Sequence, residues 1–311
     1  MIFRFLRPFA IVITLAIASN VYASDKIANK TVLVSIAPLH SIVTAITQGV
    51  LVPELLMSAD ISPHDFQLKP SQRRKIQQAN LFVWIGDSLE TVLDDIVHLE
   101  GLQLFGIEQY GQQLNLLPIR EDELFGHDGH DEHDHGDADY DPHFWMSPGN
   151  ALQFASALSQ YLMEWDAANA ATYQHNYIEF REQINDRISV WKNDMAPLKG
   201  EKILSAHDGF QYFENEYGFQ HIASVQTHTE VSLSIKRLDT LNDVIQDQQV
   251  SCLFTEPQVP DRMIKALVKR NELKLATLDI IGRNLLPGSD LYFTLMDNNI
   301  QSLNDCYQPI K

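Results

Sequence analysis

Three histidines keep similar company along the chain: His64 in SPHDFQLKP, His143 in DPHFWMSP and His207 in SAHDGFQYF. Each falls in a predicted loop close to a strand end or helix start, and each has a carboxylate nearby, Asp65, Asp141 and Asp208 in turn. Imidazole is a common metal ligand, and a bound histidine usually donates its second ring N–H to such an acceptor, which fixes its tautomer. Three imidazoles and one oxygen form a borderline-soft, nitrogen-rich set that suits tetrahedral Zn²⁺ at about 2.0–2.1 Å. For the fourth place the sequence offers Asp279 in ATLDIIG, at the end of a predicted strand, or else a water. Two of the histidines precede a long helical segment and one follows it, so a shared metal would lie between two halves of the chain. Spacing alone does not separate this site from three unrelated loop histidines.

A second group is more conspicuous. His127, His130, His133 and His135 alternate with acidic residues in GHDGHDEHDHGD, inside a low-complexity stretch from 121 to 141 that is expected to be a flexible loop. Its composition suits an accessory metal-binding loop. Ordering such a loop costs about 1–2 kcal/mol per residue, so it should bind weakly; the plainer reading is a solvated acidic tract. His98 and His175 read as surface residues, His221 and His228 as structural ones, and His40 in APLHS as a possible pocket-lining residue at a strand-to-helix turn. Catalytic patterns are missing: there is no HExxH, no G-x-S-x-G and no GxxxxGK[ST]. Ser205, His207 and Asp208 stand almost in a row, but a triad is made in space, so their adjacency argues nothing.

The elements that must position these residues form an α/β pattern. TVLVSIA (31–37), LFVWIG (81–86), LQLFGI (102–107), KILSA (202–206), CLFTE (252–256) and LKLATLD (273–279) are short apolar runs suited to buried strands of a parallel sheet. Helical patterns separate them, and the alternation occurs once on each side of residues 150–198. Within that middle segment Tyr173, Tyr177, Phe180, Ile184, Ile188, Trp191 and Met195 recur every three or four residues. The spacing predicts a helix over 168–195, ended by Pro197 and Gly200. It is read as a connecting helix between two α/β lobes; a helix inside one lobe is the alternative.

The opening MIFRFLRPFAIVITLAIASNVYASDK has the layout of a secretory signal peptide, with cleavage expected near Ala23. That leaves a domain plan of 1–23 signal, 24–165 first lobe, 166–198 linking helix and 199–311 second lobe. Without Arg4 and Arg7 the balance is 21 basic against 41 acidic residues, which disfavours nucleic acid and anionic lipid and attracts cations. No later stretch is apolar enough to enter a membrane, so a soluble periplasmic protein is expected. Cys252 and Cys306 are the only cysteines, and in an oxidising compartment an isolated pair reads as a disulfide, with two buried thiols as the alternative.

SPHDFQLKPSQRRKIQQANLFVWIG, the acidic His-rich loop, DPHFWMSPGNA, APLKGEKILSAHDGFQYFENEYGF, CLFTEPQ and TLDIIG together resemble the periplasmic zinc-binding proteins of ATP-driven zinc importers. These belong to the metal-receptor cluster of solute-binding proteins. The resemblance covers nearly the whole chain after the leader. It implies two (βα)4-type lobes joined by one long rigid helix, with the ion in the cleft and His64, His143 and His207 as ligands. It also implies a monomeric, non-enzymatic receptor that captures Zn²⁺ and delivers it to a membrane permease and its ATPase. Manganese members usually carry a carboxylate at the third position; His207 there favours zinc. Cys252 and Cys306 match a disulfide of zinc members. The chain departs from the pattern at Pro63, where some zinc members have an acidic residue, and at Ile280, where the last motif often has proline. The alternatives are a Mn²⁺ or Fe²⁺ receptor of the same family, or an exported zinc hydrolase with Glu256 as its base.

Overall fold

The computed structural model describes residues 30–97, 100–120, 140–226, 235–258 and 261–308. The expected leader, the histidines His127, His130, His133 and His135 of the expected accessory loop, and His98 and His228 lie outside them. In the first half β1 (Val32–Val34), β2 (Glu54–Leu55), β3 (Leu81–Val83) and β4 (Gln103–Phe105) alternate with α1 (Ala37–Thr47), α2 (Pro70–Gln78), α3 (Asp94–Val97) and α4 (Ile107–Tyr110). Two long helices follow, α5 (Pro148–Trp165) and α6 (Ala170–Met195). The second half runs β5 (Lys202–His207), α7 (Gln211–Tyr217), β6 (Gln220–Gln226), α8 (Ile235–Gln248), β7 (Cys252–Thr255), α9 (Asp261–Asn271), β8 (Lys274–Thr277) and α10 (Leu291–Tyr307).

Both sheets are parallel and share one topology, β2-β1-β3-β4 and β6-β5-β7-β8. Strand order therefore reverses between β1 and β3 in one sheet and between β5 and β7 in the other. Open sheets of this kind leave a ligand crevice at the carboxyl ends of those strands. The inner strands β1, β3 and β7 are buried at every position, as their unbroken apolar runs predict. The runs at β4 and β8 lie at sheet edges instead and are partly exposed, with Leu275 at 39%. The edge strands β2 and β6 gave no apolar run to read, the first being two residues long and the second polar at both ends.

Residues from both halves share one apolar cluster, from Val32 and Phe82 through Trp145 and Phe180 to Phe254 and Tyr292. A smaller cluster of Leu204, Val225, Leu241, Leu253 and Ile264 fills the second half separately. The helix α6, at 26 residues about 39 Å long, buries Tyr173, Phe180, Ile184, Trp191 and Met195. It packs on α1, α5 and α10, so it is a wall common to both sheets as well as a connection. A polar residue that the pattern missed, Asn176, donates from Nδ2 to Ile46 O and Gln48 O, each at 2.9 Å, and closes the end of α1. Trp191 Nε1 donates to Asp297 Oδ1 of α10 at 2.7 Å. Cys252, at the start of β7, is disulfide-bonded to Cys306 in the last turns of α10. No helix among the described residues is long and apolar enough to cross a membrane.

At the first reversal point the fully buried Glu90 accepts from Ile85 N and Gly86 N at 2.9 and 3.0 Å. Burial pushes its carboxyl up to about 7 despite those bonds.

Candidate metal centre

His207 closes β5, so its side chain stands at the second reversal point by virtue of the strand itself. His64 sits in a short 3₁₀ turn, Pro63–Asp65, opened by the fixed φ of Pro63 and capped by Ser62 Oγ, which accepts from His64 N at 3.3 Å. His143 precedes another such turn, Phe144–Met146, whose residues are all buried. Phe144 packs with Tyr110 of the first half and Phe154 of α5, while Trp145 Nε1 donates to Ile280 O of the second half at 2.8 Å. Tyr292 donates to Trp145 O and Tyr212 to Asp141 O, at 2.8 and 2.7 Å. The His143 loop is thus fastened from both sides of the cleft.

These elements bring the three imidazoles into a near-regular triangle, with ring centroids 5.4, 5.3 and 5.2 Å apart. Their ligand nitrogens lie within 4.8 Å of one another, and among the described residues no fourth metal-ligating side chain joins the cluster. His64 Nε2 and His143 Nε2 are 3.3 Å apart. Zinc–nitrogen bonds of about 2.05 Å in a tetrahedron make edges of about 3.3 Å. The cavity between the rings offers the centre of a water-sized particle about 10 Å³, the scale of an ion with its small ligands.

Two carboxylates orient the rings. Asp141 Oδ1 accepts from His143 Nδ1 at 2.7 Å and from His143 N at 2.9 Å. Asp141, the last residue of the stretch expected to be a flexible loop, is buried, and Tyr140 bridges to Pro118. Glu256 Oε1 accepts from His207 Nδ1 at 2.9 Å, the role expected of Asp208. Asp208 points instead to Arg120, which holds it at 3.0 Å and also binds the buried Glu214. With both Nδ1 atoms committed to carboxylates, Nε2 of His143 and of His207 carries the free lone pair. Burial opposes charge on His207, but Glu256, with smaller help from Asp208 and Asp141, outweighs it and raises the imidazole above its ordinary value. Replacing Glu256 by glutamine should weaken metal binding about 10–100-fold, measured by chelator competition; unchanged affinity would show that the contact does not tune His207.

Asp279 is not placed as a ligand. Its Oδ1 accepts from Ile281 N and Gly282 N at 3.0 and 2.9 Å, and its carboxyl is raised by burial against the pull of those amides. The loop it folds sets Ile280 and Ile281 into the cavity wall. Gly209 allows that packing: a Cβ there would lie 2.4 Å from Ile280 Cδ1 and 3.0 Å from the His207 ring. His40 is buried elsewhere, with Nε2 3.1 Å from Pro53 O. His175 is exposed beside Glu179, and His221 pairs with Glu214.

A family profile described as zinc-uptake complex component A, periplasmic, matches residues 32–306. The chain belongs to this family. Among relatives of this ZnuA family, the high-affinity zinc uptake system protein ZnuA of Brucella abortus is 33% identical over 309 residues, covering 88% of this chain and 91% of that one. The protein of the same name from Yersinia pestis is 28% identical over 285 residues, covering 87% and 89%. A crystal structure of ZnuA superposes with a TM-score of 0.74 at 18% identity over 89% of this chain and 99% of that one, so the fold is shared where little sequence is. Gln258 was not singled out from the sequence, and Glu256 was named there only as the base of the hydrolase alternative, yet both stand in the cavity wall. The signal that could have found them is the pairing of β7 beside β5.

Proposed function

We propose that this ZnuA-family chain captures one Zn²⁺ with Nε2 of His64, His143 and His207 and delivers it to the permease and ATPase of an importer. The observation that carries the reading is the triangle of imidazoles, two of whose nitrogens stand at the edge length of a zinc tetrahedron. The donor set supports zinc over manganese, because three neutral nitrogens and no clustered carboxylate oxygen suit a borderline-soft cation. A cavity of about 10 Å³ has no room for an organic substrate, and Glu256 is engaged with His207, which speaks for capture over hydrolysis. The N-terminal leader fits export to the periplasm, where the family works.

Capture should depend on pH with a definite sign. Zinc takes only neutral imidazole, and His207 holds its proton to higher pH than a free histidine. The apparent affinity should therefore fall as pH drops, starting above about 6.5, by up to about tenfold per unit from the protonation of His207. The raised pKa acts oppositely on the metal-free fold, whose stabilisation by charged His207 is complete below about 6.5 and lost as pH rises through the folded value. Chelator-competition titrations with Zn²⁺ and Mn²⁺ at pH 5, 6, 7 and 8 test both points. A pH-independent affinity, or a preference for Mn²⁺, would reject the reading.

A further inference from the structure

Beside the imidazoles the cavity wall carries an amide with one end unused. Gln258 lies three residues beyond β7 and lines the same cavity. Its Nε2 donates to Ala59 O at 2.9 Å, tying the loop after β7 to the loop that leads to His64. A carbonyl can only accept, so the atom facing Ala59 must be the NH₂ and the other must be oxygen. That Oε1 is buried and meets no hydrogen-bond donor among the described residues. Buried acceptors left unmet are costly and uncommon. Among the other walls Pro63, Ile280 and Ile281 are apolar, the indole N–H of Trp145 is spent on Ile280 O, and the Ser62 hydroxyl, which accepts from His64 N, does not reach it.

Three nitrogens leave one corner of a tetrahedral cation open, and a water at that corner brings two hydrogens that need acceptors. We propose that Gln258 Oε1 accepts one of them, which makes Gln258 the residue that positions a fourth, water ligand on the captured cation. This rests on the three-imidazole reading above. It accounts for the orphaned oxygen, and it explains how the site completes a tetrahedron with Asp279 committed to its own loop. A neutral amide suits the position, because Asp141 and Glu256 already place two carboxylates against the imidazoles. A water is also exchangeable, so the cation can be handed on without breaking a fourth bond to the protein.

The test uses Co²⁺, whose visible absorption reports the number and kind of ligands, together with Zn²⁺ affinity by chelator competition. Gln258→Leu should weaken Zn²⁺ binding about tenfold, the worth of one net hydrogen bond, and alter the Co²⁺ band. Gln258→Glu, which brings a carboxylate into reach of the cation, should shift the band toward an added oxygen ligand and tighten binding. Arg283→Ala serves as the control. Arg283 bonds Pro257 O and lies 3.5 Å from Asp60, so its loss removes a neighbouring strap across the cleft and leaves Oε1 in place. Its Co²⁺ band should match that of the unaltered protein. A Co²⁺ band unchanged in both Gln258 variants would overturn the proposal, whatever the affinity, and leave Gln258 as a strap. His64→Ala binding Zn²⁺ with full affinity would overturn the underlying three-imidazole reading instead.

Discussion

Alanine in place of His64, His143 or His207 should each weaken Zn²⁺ binding by two to three orders of magnitude. Structural zinc sites with four ligands are worth about 10–16 kcal/mol, so one nitrogen carries about 3–4 kcal/mol. The three variants should differ in a second property. His64 is only half-buried, so its loss should leave the metal-free fold nearly as stable as before. His143 and His207 are 4% and 3% exposed, and their removal leaves Asp141 and Glu256 buried without the ring N–H that each accepts. An abandoned buried carboxylate costs about 1–3 kcal/mol or more. Calorimetric titration against a competing chelator reads the first effect and a thermal melt of metal-free protein the second. Wild-type affinity in any one variant would remove that residue from the site.

How much of this was legible beforehand follows from what each feature depends on. The helix α6 and the inner strands announce themselves through local periodicity, because burial on one stripe or on both faces leaves its mark within a few residues. Residues 168 and 169 read as helix but precede α6, in a short 3₁₀ turn. The histidines could be grouped by their local settings, and Asp141 was found because it lies two residues from the ring it orients. The acceptor for His207 was misplaced for the converse reason. Ser205 pairs with Phe254 across the β5–β7 ladder, so two residues further on His207 stands level with Glu256. That neighbour is 49 positions away, and adjacency in sequence pointed to Asp208, which the strand directs toward Arg120. Asp279 had been offered as an alternative to water for the fourth place; it does follow a strand end, and the turn after it takes its Oδ1 with backbone amides, a closure that local spacing does not show. Local setting and the family resemblance thus singled out the three clustered imidazoles and Asp141, while the place of Glu256 beside His207 depended on strand register.

Removing the disulfide by Cys252→Ala together with Cys306→Ala should destabilise the fold by about 4 kcal/mol yet leave Zn²⁺ affinity nearly unchanged. The bond closes a loop of 54 residues that spans β7, α9, β8 and α10, and in the chain-entropy model a loop of that length restricts the unfolded chain by about that amount. For a chain of this size the melting temperature should fall by about 10 °C, at 2–4 °C per kcal/mol. The site should be spared because other contacts fix its parts in the folded state. Glu256 is held by β7, which is paired on one side to β5 and on the other to β8. At the other end of the bond, α10 is seated by buried Leu291, Tyr292, Leu295 and Met296, and Tyr292 is hydrogen-bonded to Ser41 Oγ and Trp145 O. Both cysteines are themselves buried, at 0% and 4% exposure, so the small alanine side chains add no polar group to the interior. Melting curves and chelator titrations on the same preparation separate the two effects. A tenfold loss of affinity alongside the fall in melting temperature would show that the bond also holds Glu256 against His207, and the account of it as a constraint on the unfolded chain would have to be given up.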